Sequence, residues 1–155
     1  MLAETIETLA SELVTVLNAA LTGERPLDRR ALVVILGEME RVHATLRDVR
    51  RCEGRNWSTP FAAVIGQVLD AVAAGSADLP AQDLQILVEI GLRTGAFVDA
   101  PPEREAQLVD VLREKLAQAQ AAGDARAAEA VALTAAVLGQ GDLAAEALEL
   151  ERSLR

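Results

Sequence analysis

Residues 101–154 read PPEREAQLVDVLREKLAQAQAAGDARAAEAVALTAAVLGQGDLAAEALELERSL, and their punctuation decides the fold. Pro101-Pro102 opens a helix, because proline's missing N–H does no harm in a first turn. Glu103 and Glu105 then set negative charge at the positive end of that helix. Leu108, Val111, Leu112, Leu116 and Ala119 recur at intervals of three and four, the spacing that lines up one helical face. Gly123-Asp124 serves as stop and cap together, and a second helix runs to Leu138. Gly141-Asp142 repeats the device, and a third helix runs toward the C-terminus. No strand-like alternation is found in this stretch or outside it.

Upstream the same signals continue. Asp78, Leu79 and Pro80 open a helix whose inward stripe is Leu84, Leu87, Val88, Gly91 and Leu92, with Gly95 suited to its end. Ser58-Thr59-Pro60 supplies a hydroxyl cap and an early proline for a helix over 60–74, which Gly75 ends. That helix is apolar on nearly all sides, which predicts a central position without a wet face.

The N-terminal third carries two heptad seams. Leu2, Ile6, Leu9, Leu13, Val16 and Ala20 form one, and Leu32, Ile35, Met39, Val42, Leu46 and Val49 the other. Gly23 and Pro26 separate them and Asp28 can cap the second, so residues 2–51 read as an antiparallel hairpin. Glu4 and Glu7 would then meet Arg47, Arg50 and Arg51 at one end, each set also complementing its own helix dipole.

The composition agrees with helices. Half of the 155 residues are apolar, aromatic residues are scarce, and Ala and Leu, which lose little rotamer freedom in a helix, dominate. The expected fold is all-α: a single domain over 1–155, a helical bundle or irregular array of about seven helices. Its parts are the hairpin 2–51, the central helix 60–74 and a C-terminal array over 79–154. More than two thirds of the chain should be helical.

Chemistry is thinly supplied. There is one histidine (His43), one cysteine (Cys52), one tryptophan (Trp57), one lysine (Lys115) and no tyrosine. Acid–base, nucleophilic and metal chemistry draws on clusters of such groups, and no catalytic constellation or phosphate-binding glycine motif stands out. A lone cysteine cannot form an internal disulfide, which fits a reducing compartment. No basic segment precedes an apolar core at the N-terminus, and the longest apolar stretch, 61–74, is too short and polar to span a bilayer. A cytoplasmic protein is expected. The net charge of −9 speaks against a general affinity for nucleic acid or an acidic membrane surface. That charge is uneven: residues 25–55 hold eight basic groups against five acids.

Three candidate sites emerge. Glu40 and His43, at i and i+3, are metal-ligand types as spaced in di-iron helical bundles. A full site of that kind needs two such motifs, and Glu40 points about 60° away from the His43 edge, so a boundary histidine facing water is the favoured reading. Arg47, Arg50, Arg51 and Arg55 can bind an anion or an acidic protein segment, against the simpler reading of a solvated helix end paired with Glu4, Glu7, Asp48 and Glu53. Trp57, beside that cluster, can anchor a partner or pack over the hairpin end.

One internal echo remains. Residues 123–133 (GDARAAEAVAL) match 141–150 (GDLAAEALEL) with one residue deleted, at an offset of 18. The stretch from Ala125 to Leu154, a small-residue helix, a Gly-Asp turn and an Ala/Leu helix, resembles a tetratricopeptide hairpin. It covers about a fifth of the chain and lacks the family's aromatic positions. The resemblance implies protein–protein binding. The expected function is therefore a non-enzymatic helical interaction or adaptor module, without cofactor. The helix over 60–74, with almost no polar face, and apolar residues beside the seams, such as Val33 and Val34, argue for a homodimer. The alternative is a small-molecule- or metal-binding helical protein, or a weak enzyme, using Glu40 and His43 or the cluster from Arg47 to Arg55.

Overall fold

In a computed structural model the described residues are 61–155, except 77 and 99, and isolated positions at 8, 12, 15, 34, 37, 38, 41, 42, 44, 45 and 48. They are 82% helix, and no strand occurs among them. Five helices are delineated: α1 (Phe61–Ala73), α2 (Ala81–Thr94), α3 (Pro102–Ala122), α4 (Ala125–Val137) and α5 (Gly141–Leu154). The chain is all-α. Five helices stand where about seven were expected for the chain, and the hairpin expected over 2–51 lies largely outside the described residues. Every described position in that segment is helical. Val42, on the second expected seam, is buried, whereas Val34, Arg41, Thr45 and Asp48, off it, are exposed.

The chain divides into two compact units, residues 1–68 with 90–98, and 69–89 with 99–155. In the first, Val42, Ile65, Val68, Ile90 and Ala96 are buried, and the Thr94 hydroxyl donates to the Ile90 carbonyl at 2.9 Å. In the second, Leu69, Leu84, Leu87, Leu108 and Leu112 are fully buried. α4 packs on both α3 and α5, and α5 also touches α3. α4 can lie close to both because its buried residues are small: Ala128, Ala130, Val131, Ala132, Thr134 and Ala135. The one hydroxyl among them, on Thr134, donates to the Ala130 carbonyl at 2.7 Å and is thereby satisfied.

Three expectations need correction. The 60–74 helix has a wet face: Ala63, Gln67 and Asp70 are exposed along α1. Its two polar residues share one side, so the helix is amphipathic despite its apolar composition. On α2, Leu92 is 43% exposed, while Ile90 and Gly91 take the inward positions. A helix stripe is about 100° wide, and Leu92 lies beyond its edge. Finally, Gly141-Asp142 does not repeat Gly123-Asp124. Gly123, at φ 65°, ends α3 with its N–H on the Gln120 carbonyl and the Asp124 N–H on the Ala119 carbonyl. At the end of α4 that pattern belongs to Gly139 (φ 75°) and Gln140, bonded to Ala136 and Ala135. Gly141 is already the first residue of α5, and Asp142 sits in its first turn. The structural repeat is thus two residues shorter than the sequence echo. Gly139 follows Leu138, the C-cap of α4 and the end of its apolar run, and takes the left-handed stop that suits glycine.

Candidate functional site

All seven sequence candidates, Glu40, His43, Arg47, Arg50, Arg51, Arg55 and Trp57, lie outside the described residues. Among their described neighbours, Arg41 pairs with Glu38 at 3.1 Å on an exposed helix face. Among the described residues no group of three His, Cys, Asp or Glu side chains converges as metal ligands would.

The second unit holds two features that the sequence did not announce. The first is a pair of buried cations on α3. Arg104, 8% exposed, forks onto Asp70 of α1, with Nε to Oδ1 at 2.6 Å and Nη2 to Oδ2 at 3.2 Å. Lys115, 7% exposed, donates from Nζ to Oδ1 of Asp78 at 2.9 Å. Both acceptors are well exposed, so each pair anchors a buried cation to a wet carboxylate. The long stems of Arg104 and Lys115 extend the apolar face of α3, which explains their burial. Beside Lys115 lies a cavity of about 270 Å³ walled by Asp78, Gln118, Ala119, Ala122 and Ala127. It offers one ammonium and carboxylates but no nucleophile of the His or Cys type. These pairs fix α3 against the segment 69–80; they are structural anchors.

The second feature is a groove of about 430 Å³ between α3 and α5. Arg113, Leu116, Ala117 and Gln120 form one wall, spaced as a single helical face; Leu143, Glu146, Leu150 and Ser153 form the other in the same way, with Glu149 beside them. Leu116 and Leu143 are buried at the floor, Leu150 is half-buried, and the small exposed side chain of Ala117 leaves the middle open. By the rise of 1.5 Å per residue the walls run for roughly 10–15 Å. At the rim, Arg113 and Glu146 stand 3.9 Å apart, both more than half exposed, a pair that contributes little. The groove is therefore a trough with leucines at its floor and polar and charged side chains along its edges.

Why it opens there follows from side-chain size. α4 holds α3 and α5 together from one side. On the other side, where α3 and α5 face each other directly, α3 offers Ala117 and Gln120 instead of large apolar residues, and the trough stays unfilled.

Charge is distributed unevenly around it. The first unit carries nine basic and nine acidic residues; the second carries six basic and fifteen acidic, so the whole net charge of −9 resides in the second. No protein-family model matches the chain, and no curated protein or solved structure matches it.

Proposed function

We propose that the protein is a non-enzymatic interaction module, and that the α3–α5 groove is where it takes hold of a partner protein. The observation that carries this reading is the trough itself: two helix faces, a leucine floor and an open polar and ionic rim. Such a receptacle is how helical proteins seat short segments of other chains. The resemblance of 125–154 to a tetratricopeptide hairpin supports it, since α4 and α5 are a closely packed helical pair. In this reading residues 2–51 complete an array of about seven helices as an antiparallel hairpin, and the protein works in the cytoplasm. Among the described residues no helix is long and apolar enough to cross a membrane.

The proposal includes a homodimer. Val34, Leu92 and Val98, all assigned to the first unit, are 59%, 43% and 72% exposed, and exposed apolar side chains of this size favour burial against a second copy. The competing function is ligand or metal binding at Glu40 and His43 or at the cluster from Arg47 to Arg55.

The test is site-specific photocrosslinking in the native host. A photoreactive residue at Ala117, in the groove, should give discrete adducts heavier than the chain; at Glu103, an exposed site outside the groove, it should not. No adduct from Ala117 would overturn the reading.

A further inference from the structure

We propose that the occupant of the α3–α5 groove is a short amphipathic helix with a basic flank, presented by a partner protein; this rests on the interaction reading above. Three observations select it. The floor is made of Leu116, Leu143 and Leu150, with Arg113, Gln120, Glu146, Glu149 and Ser153 along its edges. An extended segment laid there would leave backbone N–H and C=O groups against leucine without partners, whereas a helix satisfies its own. The walls are helical rows at three- and four-residue spacing, into which the ridge of a third helix fits. Their length of roughly 10–15 Å matches two to three turns.

The charge selects the flank. The α5 wall presents Glu146 and Glu149, and Asp142 stands one turn further toward the start of α5. Arg113 is the one cation on the opposite wall, and its distance to Glu146 leaves that carboxylate open to a better-placed ammonium or guanidinium. The surrounding unit has nine more acids than bases, so a basic segment is steered toward it and an acidic one repelled. The partner helix seats an apolar ridge on the leucines and sets Lys or Arg against α5.

The test uses the full chain and two synthetic helical peptides of about 16 residues, both with leucines at i, i+3, i+4 and i+7. One carries lysines on its flanks and the other glutamates. Fluorescence anisotropy should show saturable binding of the lysine peptide, weakened about tenfold or more between low and high salt, and at least tenfold weaker binding of the glutamate peptide. Glu146→Lys with Glu149→Lys should reverse that preference. Ala117→Trp should fill the trough and cost the lysine peptide at least tenfold in affinity. Both sites are exposed, so the variants should keep the wild-type circular dichroism. Equal binding of the two peptides, or wild-type affinity in the Ala117→Trp variant, would overturn the basic-helix assignment. Crosslinks from Ala117 combined with either result would leave an interaction module with a different occupant. No crosslink and no peptide binding would remove both readings. A doubled mass in light scattering that added lysine peptide returns toward 16.4 kDa would name a second copy as the occupant and refute the separate partner.

Discussion

Two buried cations distinguish the residue scale. Lys115 and Arg104 lie where apolar residues would serve, each tied to a carboxylate that water still reaches. Desolvating an ammonium costs several kcal/mol, and one exposed carboxylate offsets that only in part. Replacing Lys115 by Met should therefore change stability by less than about 1 kcal/mol, or raise it, because Met keeps the stem and drops the charge. Asp78→Asn should destabilise by about 1–2 kcal/mol, because it leaves the buried Nζ facing a neutral amide. Urea denaturation of both variants checks this. A Lys115→Met loss well above that of Asp78→Asn would mean that the ammonium has a role beyond holding α3. Neither cation was legible in the sequence. Periodicity marks charged residues as surface, and only the fold reveals that these two are buried.

At the scale of the element, the sequence was most readable where its signals are chemical. Pro101-Pro102 opens α3 as expected, Gly123 closes it, and Asp124 Oδ1 accepts from the Ala127 N–H at 3.0 Å to cap α4. Of the expected stripe, Leu108, Leu112, Leu116 and Ala119 are buried, whereas Val111 is only half-buried. The reading failed at residues 139–141, where two glycines compete for one stop. Similarity to the preceding turn favoured Gly141, but the end of the apolar run places the left-handed residue at Gly139. The two positions separate by mutation. Gly139→Ala and Gly123→Ala should each destabilise by about 1 kcal/mol, since a Cβ is strained in the left-handed region. Gly141→Ala should be neutral or stabilise by up to about 1 kcal/mol, because Gly141 is helical and an added Cβ there meets nothing within 4 Å. Thermal melts of the three variants check the assignment, and an equal loss at Gly141 would restore the original echo. The groove was not legible at all. Its walls are helical faces 30 residues apart in sequence, and Ala117 and Gln120 look like an ordinary exposed face until α5 is laid beside them.

The whole molecule is electrostatically divided, with one unit balanced and the other carrying the entire charge of −9. The basic segment 25–55 stands out in the sequence, but the acids that balance it within the same unit become visible only with the division of the chain. Exposed apolar residues in that balanced unit lead to the expectation of a homodimer. Light scattering at micromolar concentration should give a mass near twice 16.4 kDa, and a mass near 16.4 kDa at every concentration would exclude it.

The central claim is that this protein acts by holding a partner segment between α3 and α5, and nuclear magnetic resonance tests it most directly. The isotopically labelled full chain is titrated with the lysine-flanked peptide while backbone amide shifts are followed. The account predicts that the largest saturable shifts fall on residues 113–120 and 143–153, with the α2 amides unmoved. Shifts confined to other residues, or none at peptide concentrations in the hundreds of micromolar, a range typical of weak transient complexes, would contradict it.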